Sequence, residues 1–150
     1  MTMYVAAGSA TLVASTTRTI LQLLAGTQPL RIKELGASFD GVDASLTPIR
    51  VDLVRQTAAG TASVTGGVPI EQAEIGPTSL TTYRAGFSST EPTTTDVIRS
   101  WYVTPAGGLF VMQFPLGDEP VVAGTGRIAL RCITGSGTTP NVSAYIVFDE

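Results

Sequence analysis

Apolar and polar residues alternate with a period of two along most of this chain, in short runs rich in β-branched and aromatic side chains and separated by clusters of Gly, Pro, Ser and Thr. That pattern predicts strands. The clearest runs are Thr17–Leu24, Leu30–Phe39, Ile49–Gln56, Thr82–Phe87, Val97–Val103, Leu109–Phe114, Arg127–Ile133 and Val142–Phe148. Met3–Ala6, Thr61–Val64 and Pro120–Ala123 are weaker candidates, and helix signals are nearly absent.

Several runs alternate cleanly enough to assign faces. Ile49, Val51 and Leu53 share one side, with Arg50 and Asp52 opposite; Ile128, Leu130 and Cys132 oppose Arg127 and Arg131. In Leu30–Phe39 the phase slips near Lys33-Glu34, which predicts a β-bulge. Val97, Arg99, Trp101 and Val103 fall on one parity, Ile98 and Tyr102 on the other. A tryptophan so placed is either core or an interface anchor. Leu109–Phe114 is apolar at nearly every position, as expected of a strand covered on both faces, centrally in a sandwich or at a subunit contact. In the last run Val142, Ala144, Ile146 and Phe148 share a face, and Tyr145 and Val147 make the second face partly apolar.

Thr104-Pro105-Ala106-Gly107-Gly108, Gly135–Pro140 and, more weakly, Ala58-Ala59-Gly60 carry hairpin-turn chemistry. Gly66–Ser79 and Ser88–Thr95 lack a period and predict long crossover loops. Eight or more strands, short turns and one or two long connections describe an all-β antiparallel sandwich of Greek-key type, with the jelly roll as its expected member. Residues 16–150 form that single domain; residues 1–15, uncharged and poorly patterned, are expected as an N-terminal arm.

Charge narrows the function. Charged residues make up 14% of the chain against 43% hydrophobic ones, which leaves a surface of hydroxyls and glycine with little to keep copies apart. A net charge of −3, a single lysine (Lys33) and scattered arginines give no basic face for nucleic acid or an anionic membrane. No stretch has the length and apolarity of a transmembrane span or a secretory leader, so a cytoplasmic origin is expected.

There is no histidine, which excludes Ser-His-Asp and Cys-His catalysis, and a lone cysteine leaves no disulfide or paired-thiol metal site. Cys132 lies on an apolar face and reads as a structural thiol. Asp40 and Asp43 with Asp118 and Glu119 are the candidate cation ligands, against the plainer reading of Asp-Gly as a turn. Glu71 with Glu74, or Glu91 with Asp96, would be the candidate carboxylate pairs, with nothing to fix their separation. Asn141-Val142-Ser143 matches a glycosylation sequon but reads as strand. The expectation is therefore no enzyme, no cofactor and no metal.

Glu34–Gly41, Thr47–Leu53, Ser100-Trp101 with Val103-Thr104-Pro105, Gly117–Val122 and Asn141–Phe148 resemble segments of capsid decoration (auxiliary head) proteins of tailed bacteriophages. These segments cover most of the chain from Leu30 onward and are framework-like. The resemblance implies a non-catalytic structural virion protein of the β-sandwich type. It would associate as a homotrimer and bind the major capsid protein at local three-fold positions on the capsid exterior, after a period in the host cytoplasm. Met3 and Tyr4 on the arm, with Trp101, Phe110, Met112 and Tyr145, are the expected interface residues. The competing expectation is a carbohydrate- or receptor-binding module of a phage tail, using Tyr83, Trp101 and Tyr102.

Overall fold

Five of the predicted runs form strands with the bounds their alternation sets: β2 (Thr17–Leu24), β3 (Leu30–Phe39), β4 (Ile49–Gln56), β7 (Thr82–Phe87) and β11 (Arg127–Ile133). β1 (Met3–Thr11), β5 (Ala62–Gly67), β6 (Ile70–Glu71), β8 (Thr94–Val103), β9 (Leu109–Gln113), β10 (Val121–Val122) and β12 (Asn141–Asp149) complete the order. The structure, a computed structural model, describes residues 2–42, 47–73 and 76–150, and no helix forms among them.

The strands build two antiparallel sheets. The front sheet runs β6-β1-β12-β3, with β9 and β10 following one another along the free side of β3. The back sheet runs β5-β7-β2-β11-β4-β8. Strand β1 pairs with β12, β2 with β11, β3 with β9 and β10, and β4 with β8. First therefore pairs with last, second with next to last, and so inward. That nesting is a long antiparallel ribbon rolled over itself, the jelly roll, with β5 and β7 added beyond β2.

The inward side chains make the core. Leu21, Leu23, Ile49, Leu53 and Ile128 of the back sheet meet Leu30, Ile32, Leu35, Ile146 and Phe148 of the front sheet, all fully buried. Each such side chain contributes about 1.5–3 kcal/mol on leaving water, so the sandwich does not need cross-links. Strand β1 approaches the back sheet closely at Gly8, where a Cβ would stand 2.9 Å from Ile20 O.

Four expectations change. Residues 1–15, expected as an arm, carry β1, which lies inside the front sheet between β12 and β6. Its inward positions Tyr4, Ala6, Gly8 and Ala10 are mostly small, so the alternation is quiet. The turns at 104–108 and 135–140 do not close hairpins: each passes from the back sheet to the front sheet, and 58–60 joins non-neighbouring strands. Turn chemistry reports a chain reversal but not which strands pair. In β8 the register slips between Arg99 and Val97, so Ile98 turns in to pack against the core while Val97 sits outward opposite Val54. Finally, the stretch 66–79 holds the short β6. The bulge expected near Lys33-Glu34 is present, as Phe148 pairs with Ile32 and Val147 with Glu34, leaving Lys33 as the extra residue.

Candidate functional site

Directly opposed residues of an antiparallel pair share a face, so the registers give the outer face of the front sheet. Met3, Val5, Ala7, Ser9 and Thr11 of β1 lie beside Asp149, Val147, Tyr145, Ser143 and Asn141 of β12. These continue into Glu34, Gly36 and Ser38 of β3, and then Gln113, Val111 and Leu109 of β9. Leu109 is 70% exposed and Val111 48%. From Thr11 and Asn141 across to Leu109 and Val111, no side chain on this face is charged.

The face is flat for a specific reason. The ring of Tyr145 lies over Gly36, where a Cβ would come within 2.4 Å of Tyr145 Cε1. The Tyr145 hydroxyl donates to Glu34 Oε1, and Gln113 Nε2 donates to Glu34 Oε2 at 2.7 Å. These donors hold the Glu34 carboxyl below the usual carboxylate range, and the carboxylate in turn pushes the Tyr145 phenol up to about 12. At the end of the face, the bulged Lys33 reaches Glu119 at 2.9 Å and Asp149 at 3.0 Å. Glu119, also accepting from Gly117 N at 2.6 Å, is held down at about 2.

A second surface is the open edge of the sandwich between β8 and β9, the outermost strands of the two sheets on one side. Trp101 and Phe110 bridge it, half-buried, with ring centroids 4.5 Å apart. Met112 packs on the core beside them, and Tyr102 on the outer side of β8 is 75% exposed.

The six expected interface residues thus divide. Met3, 40% exposed, and Tyr145 lie on the outer face of the front sheet. Trp101, Phe110 and Met112 point inward along the open edge. Tyr4 offers no surface: it is 1% exposed, stacked on Phe148, and its hydroxyl donates to Pro77 O at 2.7 Å. Sequence reading missed Ala7, Ser9, Ser38 and Ser143 on the front face, because small side chains give no periodic signal. Leu109 and Val111 were visible in the two-sided apolar run, which proves to be an edge strand with its outer side open.

The groups singled out for chemistry have separate partners. Asp40 accepts from Asn141 Nδ2 and from Val42 N, and the amide donor lowers its pKa. Asp118 pairs with Arg99 at 3.6 Å, away from Glu119 in the lysine cluster. Asp43 and Glu74 lie outside the described residues; among the described ones, no three Asp, Glu or Cys side chains are grouped as metal ligands. Glu71 accepts from Gly76 N, and Glu91 accepts from Thr19 N while pairing with Arg18 at 3.7 Å. Cys132 is buried, and desolvation pushes its thiol up to about 12, far from a nucleophile's range. Asp52, with no exposed side-chain surface, is held by Arg50 at 2.8 Å, Arg131 at 3.0 Å and Ser100 at 2.6 Å on the outer side of the back sheet.

The tail-module aromatics are dispersed as well. Trp101 is occupied by Phe110, and Tyr83 packs over Gly67, where a Cβ would meet its ring at 2.5 Å. Only Tyr102 stands free as a stacking platform among the three.

No family model matches the chain, and no match is found among curated proteins. Solved structures similar to it include the VP2 subviral particle of infectious bursal disease virus, at 14% identity and a TM-score of 0.24 over 97% of this chain and 41% of that one. Another is the T=1 particle derived from infectious bursal virus, at 14% identity and a TM-score of 0.22 over 97% and 39%. The chain spans about two fifths of the length of these proteins. Superpositions this loose bear on neither the strand order nor the activity.

Proposed function

We propose that this protein is a non-catalytic structural component of a virion. It would decorate and stabilise a tailed-phage capsid as a homotrimer bound to the major capsid protein at local three-fold positions on the shell exterior. The observation that carries this reading is the part of the front sheet's outer face that carries no charge, from Thr11 and Asn141 across to Leu109 and Val111, beyond Glu34 and Asp149. A solvated antiparallel sheet normally shows a polar and charged outer face. Here that part of the face carries Ala7, Tyr145, Val111 and Leu109 among serines, and Gly36 lets Tyr145 lie flat.

Its size fits an interface. Nine-residue strands reach about 30 Å, and four strands side by side about 19 Å, so the whole face, with its charged end at Glu34 and Asp149 included, is on the order of 600 Å². That approaches the ~800 Å² each partner buries in a standard interface. The sparse charge of the chain and its resemblance to decoration proteins support the same reading. The single free tyrosine of the three aromatics gives the carbohydrate-binding alternative little support.

Light scattering with and without expanded capsids tests it. A particle of three times the 15.6 kDa chain that co-sediments with capsids is expected. Ala7→Lys and Val111→Lys should abolish self-association or capsid binding without changing the Tm. A monomer that ignores capsids would overturn the reading.

A further inference from the structure

Strands β5, β6, β8, β9 and β10 each pair on one side only among the described residues. All but β9 are guarded against a further strand. β6 and β10 are two residues long, β8 carries Asp96 and Arg99 and slips register twice against β4, and β5 is broken by a slip at Gly66. β9 has none of these devices. Leu109-Phe110-Val111-Met112-Gln113 holds no charge, proline or glycine and keeps one register along β3.

The hydrogen-bonding row of β9 follows from its two ends. Phe39 N donates to Gly108 O at 3.0 Å and Phe114 N to Lys33 O at 2.9 Å, and both pairs belong to the register that sets Val111 opposite Gly36. Bonded and unbonded pairs alternate along an antiparallel ladder, so Phe110 and Met112 turn their N–H and C=O groups to β3. Leu109, Val111 and Gln113 turn theirs to the open side. The side chains of these three lie on the outer face, where Leu109 and Val111 are exposed. Phe110, against Trp101, and Met112 are half-buried on the inner side. β9 thus has the apolar make-up of a central strand in an edge position.

We propose that β9 pairs with β9 of a second copy of this chain, antiparallel about a two-fold axis through Val111. In that register Val111 faces Val111 of the second copy, Leu109 faces its Gln113 and Gln113 faces its Leu109, and each opposed pair exchanges two hydrogen bonds. A shifted register leaves one of these residues beyond the end of the paired strands. Opposed residues share a face, so Leu109 and Val111 extend the uncharged outer patch across the seam, and Phe110 lies beside Met112 of the second copy on the inner side. The row is complementary to itself and carries no charge to repel its copy, which favours a second copy over a foreign strand. The seam is only about 17 Å long, so the pair is weak by itself and joins copies that are crowded or already held side by side. It goes beyond the capsid reading and does not depend on it: cross-linking reads the pair, and co-sedimentation reads the capsid contact.

The test is cross-linking of the full chain with one cysteine placed on the strand. Cys132 is buried, with its thiol pushed up to about 12, and stays unreactive. In Val111→Cys the two new residues stand about 5.5 Å apart at Cα across the axis, within reach of a short bis-thiosulfonate reagent. Leu109→Cys and Gln113→Cys each set their own copies about 14 Å apart along the strands. A covalent dimer that rises with protein concentration is expected for Val111→Cys, with at least tenfold less for either of the other two alone and recovery when those two are mixed. Leu109→Pro, added to Val111→Cys, removes an N–H that faces the open side and leaves the ladder to β3 and the Tm intact. By symmetry it takes two bonds from the seam and should lower the yield about tenfold. No cross-link at residue 111 at any concentration, equal yields from all three single-cysteine variants, or a yield that Leu109→Pro leaves untouched would overturn the proposal.

Discussion

Trp101 and Phe110 meet across the open edge of the sandwich, with ring centroids 4.5 Å apart and ring planes inclined by 38°. One ring comes from the outermost strand of the back sheet and the other from the outermost strand of the front sheet, so the pair latches two sheets that share no backbone hydrogen bonds there. Such a contact adds about 0.5–1.5 kcal/mol beyond burial. Each ring is half-buried, so Trp101→Ala and Phe110→Ala should each cost about 2 kcal/mol, below the range for fully buried aromatics. Urea unfolding of the two single variants and the double variant should give a coupling of about 1 kcal/mol. A coupling near zero would mean that the rings are neighbours without being a latch.

Asp52 makes a different kind of bond between strands. Its side chain is fully buried among Arg50, on its own strand, and Arg131 and Ser100 from the strands on either side. Removing the charge leaves Arg131, itself only 16% exposed, without an anion. Asp52→Asn should therefore cost about 3 kcal/mol, by the rule that breaking a buried pair strands its partner. Urea unfolding checks this, and a loss below about 1 kcal/mol would show that water reaches the cluster.

The strands of this fold were legible where large and polar residues alternate, as in Ile49–Gln56 and Arg127–Ile133, and the bulge at Lys33 followed from the slip in that alternation. Pairing was not legible. The turns at 104–108 and 135–140 look local, yet in a jelly roll every short connection there changes sheets, and the partner of Met3–Thr11 lies at the other end of the chain. The front face was hardly visible, because Ala7, Ser9 and Ser143 resemble loop residues until the register places them together. Ile98 was misassigned because a bulge moves a side chain across the sheet without altering composition. Tyr4 was misassigned because its tyrosine hydroxyl finds Pro77 O inside the structure.

The flatness of that face can be tested at Gly36. An alanine there would place its methyl within 2.4 Å of the Tyr145 ring, and the ring, as the far end of a side chain, should swing away while the strand stays. The hydroxyl then loses Glu34, the first cause of its raised pKa. In Gly36→Ala, one of the four tyrosines should ionise nearer the ordinary value of 10 than about 12. Ultraviolet absorbance of tyrosinate against pH reads this directly. An unchanged titration would mean that the ring keeps its place and the strand has moved instead.

Acid should act on the opposite end of the same face. Glu119 is held at about 2, against an ordinary 4.5, by the ammonium of Lys33 and then by Gly117 N. A carboxylate whose folded pKa is depressed contributes stability above its unfolded value and loses it as pH falls. For Glu119 the contribution is complete above about 4.5 and disappears as pH drops through about 2. Lys33 titrates upward from 10.5, so its side of the contact stays charged throughout that acid window. The Tm of the wild-type chain should therefore fall faster between pH 4.5 and pH 2 than that of Glu119→Gln, which has no proton to gain there. Asp149 stays 3.0 Å from Lys33 in the variant, so the curves should converge without becoming flat. Parallel curves across the window would show that Lys33 and Glu119 are solvated separately and that the bulge is held by strand pairing alone.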